Sequence, residues 1–181
     1  MEQEAKQEVT KKKKKSKNKI ASILNLLGEL LLIGVILVCI PLTVPRIFGY
    51  EVYSVVSGSM EPAIPTGSLV YIKSIEPEKV EEDSVIAFYS PSNPDAIITH
   101  RVITNKIISG EFTTKGDANE AEDPSPVPYD NLVGKVTLSV PYVGELLSGI
   151  ASTEGKIIII GIVVEALALQ VIAAIIQKKK K

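Results

Sequence analysis

Two long apolar stretches frame the chain, and between them the hydrophobic pattern changes its period. Residues 20–45, IASILNLLGELLLIGVILVCIPLTVP, hold 18 apolar residues of 26, almost unbroken over 30–40. A helix rises about 1.5 Å per residue, and about 20 residues cross a hydrocarbon core of about 30 Å, so this stretch predicts a membrane span. Residues 157–176, IIIIGIVVEALALQVIAAII, hold 17 apolar residues of 20 and run directly into the lysines at 178–181. They predict a second span. The middle reads instead as short runs rich in Val, Ile, Thr and Tyr at 51–56, 68–75, 84–89, 97–104, 107–115 and 131–140, broken by Pro and Gly. Such runs are strands, and the absence of sustained helical periodicity between Arg46 and Pro141 predicts an all-β domain of about 100 residues. Residues 142–155 are expected to form a short apolar helix or a surface segment leading into the second span.

Charge adds an orientation. The 181 residues carry 20 Lys+Arg and 21 Asp+Glu, a formal charge of −1, but this near-neutrality is a cancellation. Residues 1–19 carry +5, residues 46–156 carry −8 and residues 157–181 carry +3. An acidic middle argues against nucleic acid as a partner, since phosphate needs positive charge facing it. Lys-rich flanks favour the cytoplasmic side, where anionic lipids attract each by about 1 kcal/mol. Both ends point to the same topology: basic cytoplasmic tails at 1–19 and 178–181, membrane helices at 20–45 and 157–177, and an extracytoplasmic domain at 46–156, in the cell membrane. The first span is too long for a cleavable signal peptide, and Pro41, Pro45 and Arg46 follow where small residues would be needed. The lysines at 11–15 are a topology determinant on this reading. A single cysteine excludes an intrachain disulfide. Glu29 and Glu165 lie within the spans without an intramembrane Lys or Arg to pair with, and are expected to be protonated or to face a helix–helix contact.

Candidate chemistry is concentrated in three places. The only histidine, His100, sits in the run IITHRVI, so any histidine-dependent chemistry must pass through it. Ser59 lies in VVSGSMEPAIPTGSLVYI, where Gly58 lets the backbone turn and Pro62 and Pro65 stiffen the next few residues, presenting a serine at the end of a strand. Asp117 and Asp123 lie in TTKGDANEAEDPSP, a loop after another strand. Serine alone is a poor nucleophile; it needs a base within reach and a carboxylate to fix that base's tautomer. Ser59 is 13 positions beyond Arg46, close to the outer membrane surface, so a substrate presented there is itself membrane-bound. Two alternatives are a Ser-Lys dyad with Lys73 or Lys106 as base, and a catalytically inactive two-span envelope scaffold or binding protein in which these are ordinary turn, strand and loop residues.

These residues resemble a family. SGSMEP at 57–62, THRV at 99–102 and KGDANEAEDP at 115–124, with VPYVG at 140–144 as a weaker element, are similar to the active-site boxes of type I signal peptidases. The common bacterial enzymes have Lys in a K-R-V context, whereas the ER-type branch of microsomes, archaea and some Gram-positive bacteria has His, as at His100-Arg101-Val102 here. The resemblance covers about residues 50–145 in the expected order. It implies a mainly β fold, the β-rich signal-peptidase and SOS-repressor-like catalytic domain flanked by two transmembrane helices. It further implies Ser59 as nucleophile, His100 as general base and Asp123 or Asp117 as the triad acid. Ser57 and the Ser59 N–H would form the oxyanion hole, and Met60 and Pro62 would bind substrate. The implied activity is a membrane-bound serine endopeptidase that removes signal peptides after small residues. Its partners are signal-peptide-bearing precursor proteins, the lipid bilayer and the export translocon, with no metal or cofactor. The sequence departs from the family in having Ala118 where Asn is common and in the EDPSPVPYD stretch after the acids.

Overall fold

The computed structural model describes residues 2–91 and 93–178, with the side chains of all of these except 2–18 and 94. Lys179, Lys180 and Lys181 of the C-terminal run lie outside the described residues, as do the side chains of the lysines at 11–15. The chain divides into a helical unit, built from the residues up to Ile40 and those from Ile150 onward, and a second unit of residues Pro41–Gly149.

In the helical unit, α1 spans Glu2–Ile47 and is longer than the apolar stretch alone predicts. The preceding Lys-, Glu- and Gln-rich residues are strong helix formers, so the helix continues through the polar tail. Helix α3 spans Thr153–Lys178. Lys19–Ile47 of α1 and all of α3 are long and apolar enough to cross a membrane. Small residues are buried on both helices, Ala21 and Gly28 on α1 and Ala166 and Ala173 on α3, and Gly28 meets Ala166 beside the Gln170 side chain. A Cβ at Gly28 would stand 2.7 Å from the Ala166 carbonyl oxygen, so the backbones touch only because Gly28 has no side chain. Glu29 and Glu165 are next to this contact in sequence but are exposed; neither faces the partner helix, which removes the helix–helix contact expected for them.

Gly28→Ile should force the helices apart, at a cost of about 1–3 kcal/mol for overpacking. In a Cys39→Ser background, oxidative cross-linking of Ala21→Cys with Ala173→Cys reads the pairing. Cross-linking should fall several-fold on adding Gly28→Ile, and an unchanged yield would show that the close approach is dispensable.

The second unit is one seven-stranded antiparallel sheet. Its strands are β1 (Tyr50–Ser54), β2 (Leu69–Lys73), β3 (Val85–Ser90), β4 (Asn93–Lys106), β5 (Glu111–Lys115), β6 (Val127–Pro128) and β7 (Leu132–Val140). The order across the sheet is β1-β2-β7-β3-β4-β5-β6. Alternation along each strand gives the sheet a core on each face. Val80, Ile86, Phe88, Val102, Phe112 and Val127 form one, and Met60, Ile64, Val70, Ile72 and Ala87 form the other. The short helix expected within 142–155 is α2, Gly144–Ala151.

Several strand boundaries differ from the sequence pattern: β1 and β2 are shorter, and β4 runs over Asn93–Lys106 rather than 97–104. The run at 107–115 supplies only β5, because Ile107 and Ile108 occupy the exposed hairpin turn closed by Gly110 at φ +69°. The Pro-rich stretch after the acids adds β6, two residues paired with the outer edge of β5.

At the other end of the unit, Pro45 has no N–H to offer the Pro41 carbonyl, which would be its partner one helical turn earlier. The Tyr71 hydroxyl donates to that carbonyl at 3.1 Å instead.

Candidate active site

Ser59 is presented by a turn anchored on both sides. After β1, Val55 N–H donates to Ser68 O at 2.9 Å, which continues the β1–β2 pairing up to the turn. Beyond Ser59, Met60 is fully buried in the second core and its carbonyl accepts from Ile64 N–H at 2.8 Å. Ser59 is thus half-buried between exposed Ser57 and Gly58 and a fully buried Met60. Its hydroxyl lies 3.4 Å from that of Ser57. Pro62 is exposed, follows a cis peptide bond and does not line the adjacent cavity.

His100 is on β4, opposite Ile86 of β3, buried and in edge contact with Phe88 at 6.2 Å between ring centroids. Its Nδ1 is 2.6 Å from Asp123 Oδ2. The same carboxylate oxygen accepts from the Thr114 hydroxyl at 2.6 Å, and Asp123 N–H donates to Thr114 O at 2.8 Å. Asp117 has a different partner. Its two oxygens accept from Arg101 Nε at 2.8 Å and Nη2 at 2.6 Å, while Arg101 Nη1 donates to Asp83 O at 2.7 Å. The hydrogen bonds from Arg101 to Asp117 hold the guanidinium's pKa above its already high ordinary value. A bidentate fork of this kind fixes geometry as well as charge.

Gly116 joins the serine to the histidine. The β4–β5 ladder pairs Arg101 with Lys115, so the next residue, Gly116, comes opposite His100. A Cβ there would be 2.6 Å from Ser59 O, 2.8 Å from Asn119 Nδ2 and 3.0 Å from His100 Nε2. The Ser59 main chain and the imidazole edge not bound to Asp123 therefore converge on one glycine. Ala118 N–H completes the junction, donating to Ser59 O at 2.9 Å. Among the described residues the Ser59 hydroxyl is paired with that of Ser57 and not with His100.

A cavity of about 140 Å³ opens beside Ser57 and Ser59, walled by Tyr53, Val55, Met60 and Ile97. Burial first, and then a hydrogen bond to Glu51, pushes the Tyr53 phenol up to about 12. A second cavity, about 160 Å³, reaches His100 and Asp123 between Phe88, Ile98 and Pro124. Among the described residues, no group of three or more His, Cys, Asp or Glu side chains is placed to hold a metal ion.

Four contributors are not singled out by sequence: Thr114, Gly116, Arg101 and the backbone of Ala118. Only Thr114 carries a readable signal. In EFTTK it shares a strand face with Phe112, so a hydroxyl is directed at a core position.

Residues 27–105, which include Ser59 and His100, match the family model described as signal peptidase, peptidase S26. The chain is 41% identical over 96 residues to Signal peptidase I W of Bacillus subtilis (strain 168), covering 51% of this chain and 50% of that protein. It is 32% identical over 100 residues to the signal peptidase complex catalytic subunit SEC11C of Homo sapiens, covering 50% and 52%. It is 31% identical over 100 residues to the corresponding subunit SEC11 of Pyricularia oryzae, covering 50% and 58%. The chain spans about half the length of the curated relatives it matches. Two apolar helices and these relatives together indicate membrane association. The chain is thus similar to signal peptidases of both the Bacillus and the eukaryotic side, and the stretch that matches the peptidase S26 family model holds both the serine and the histidine.

Proposed function

We propose that the chain is a membrane-bound serine endopeptidase that cleaves signal peptides from exported precursors after small residues. The observation that carries this reading is the His100 imidazole, with Nδ1 bound to Asp123 at 2.6 Å and Nε2 beside Gly116, which the Ser59 carbonyl also adjoins. Ser59 attacks the scissile carbonyl while His100 takes its proton. The Ser59 N–H and the Ser57 hydroxyl stabilise the oxyanion, each such donor being worth on the order of 3 kcal/mol of barrier. His100 then protonates the leaving amine, and water, activated by the same imidazole, releases the acyl-enzyme. Met60 floors the cavity that takes the small residue, and Pro62 shapes the turn behind it. The cavity of about 140 Å³ beside Ser57 and Ser59 receives the side chain that precedes the cut, and a small residue there is what the similarity to signal peptidases implies.

Asp123 is the triad acid on this reading, and Asp117 holds the loop through Arg101. Asp123→Asn should lower kcat about 10⁴-fold with the fold retained, as expected when the base loses its tautomer. Asp117→Asn should act on assembly, costing on the order of 1 kcal/mol of stability after allowance for the partial exposure of the pair. Thermal unfolding set beside single-turnover cleavage separates the two, and equal losses of rate and stability for both variants would reject the division of roles.

The topology follows the charge pattern: both termini cytoplasmic, membrane helices at 20–45 and 157–177, and residues 46–156 outside the cell membrane, next to the export translocon from which precursors emerge. The test is cleavage of a precursor carrying an Ala-x-Ala site by the detergent-solubilised chain, with the product's new N-terminus read by mass spectrometry. Cleavage after the small residue is expected; an intact precursor would overturn the proposal. Because a general base must be unprotonated to act, processing should fall as the pH is lowered from about 9 to about 5. A rate flat down to the acid end would exclude a histidine base.

A further inference from the structure

We propose that Thr114 is a positioning residue: its hydroxyl locks the Asp123 carboxylate so that Oδ2 meets His100 Nδ1 and Nε2 is left as the basic nitrogen. This inference rests on the Ser59–His100–Asp123 reading above.

Thr114 is fully buried on the core-facing side of β5, opposite Val102 of β4. A hydroxyl among apolar neighbours costs free energy unless it is hydrogen-bonded, and this one donates to Asp123 Oδ2 at 2.6 Å. An ionised carboxylate only accepts, so the direction of that bond is settled by chemistry. The same oxygen receives His100 Nδ1 at 2.6 Å. Thr114 also takes the Asp123 N–H on its own carbonyl at 2.8 Å. One residue thus holds the acid at its backbone and at its carboxylate.

The second hold matters because the terminal torsion of an aspartate is broad and roughly two-fold. With histidine as its only side-chain partner the carboxylate can swing. Two donors converging on one oxygen from β4 and β5 fix its plane. A fixed acceptor at Nδ1 keeps the neutral ring's proton there. If the acceptor swings away, part of the population carries the proton on Nε2 and cannot accept from serine.

Thr114→Val keeps the shape and removes the hydroxyl, whereas Thr114→Ser keeps the hydroxyl and removes a buried methyl. A positioning role and a packing role therefore rank the two variants in opposite orders. With the full chain in detergent, Thr114→Val should lower kcat about ten- to hundredfold, the loss of one hydrogen bond to a charged group, with KM little changed. Thr114→Ser should recover most of that rate.

The chain has one histidine, so the ¹⁵N ring signals of a labelled sample report His100 alone. They should show the Nδ1–H tautomer in the parent chain and in Thr114→Ser, and a mixture in Thr114→Val. A parental tautomer in Thr114→Val, or a lower rate in Thr114→Ser than in Thr114→Val, would overturn the proposal. If the parent chain cleaves no precursor, it is the peptidase reading that fails; the tautomer signal judges the Thr114 hydrogen bond independently of activity.

Discussion

Ser59→Ala should reduce precursor cleavage by a factor of about 10⁴ to 10⁶, with His100→Ala falling into the same range and the double variant no worse than either single one. Nucleophile and base act as a unit: a serine without its base is a weak nucleophile, and a base without its serine has no proton to take. The structure makes the substitution clean. The Ser59 hydroxyl lies 3.4 Å from that of Ser57, whereas the main chain on either side is held by Ala118 N–H and by buried Met60. Loss of the hydroxyl should therefore leave the fold unchanged. Single-turnover cleavage with purified variants, alongside circular dichroism, measures both quantities. Cleavage by Ser59→Ala within tenfold of the parent would sink the serine mechanism and return Ser59 to the status of a turn residue.

A smaller but still large loss should result from adding one methyl group at a residue that has no chemistry of its own. Gly116→Ala places a Cβ 2.6 Å from Ser59 O and 3.0 Å from His100 Nε2. The first of these atoms belongs to backbone and cannot turn aside as a flexible side-chain end could. The nucleophile's main chain, the imidazole or β5 must shift by several tenths of an ångström or more. Misplacement of about 1 Å can cost 10²-fold in rate, and the shift also threatens the bond from Ala118 N–H to Ser59 O. We expect kcat to fall about a hundredfold or more while the domain still unfolds cooperatively. Parental activity in Gly116→Ala would mean that serine and histidine do not meet across this glycine.

Much of this arrangement is legible from local pattern. The two spans follow from uninterrupted apolar runs, and most strands follow from β-branched residues bounded by Pro and Gly. Ser59 and His100 are identifiable because the first sits in a turn built from glycine and prolines and the second is the only imidazole in the chain. Linear spacing does not resolve the pair of acids. Asp117 and Asp123 lie in one polar loop, and which of them reaches His100 depends on a register: Arg101 opposite Lys115 brings the guanidinium to Asp117, and the Thr114 carbonyl draws back the Asp123 backbone.

β6 is illegible for a similar reason. A two-residue strand ending in proline has no periodicity, and exists only because β5 offers it an edge. Conversely, Ile107 and Ile108 have strand-like composition but occupy a hairpin turn, where exposure overrides propensity. The helical course of the lysine-rich tail is hidden because a polar, highly charged run has no apolar period to betray it, although lysine and glutamate favour helix in the absence of competing contacts.

The strand order has a kinetic consequence. The turn bearing Ser59 leaves β1, at one end of the seven-stranded order, whereas the loop bearing Gly116, Ala118 and Asp123 leaves β5, next to last at the other end. Ser59 and Asp123 are thus joined across a seam of loops, closed by Ala118 N–H on Ser59 O, rather than by neighbouring strands. Such a seam can open without unfolding the sheet. The fraction of molecules able to cut at any instant is then set by this local equilibrium and not by global stability, and exchange of the Ala118 amide with deuterated solvent would measure it.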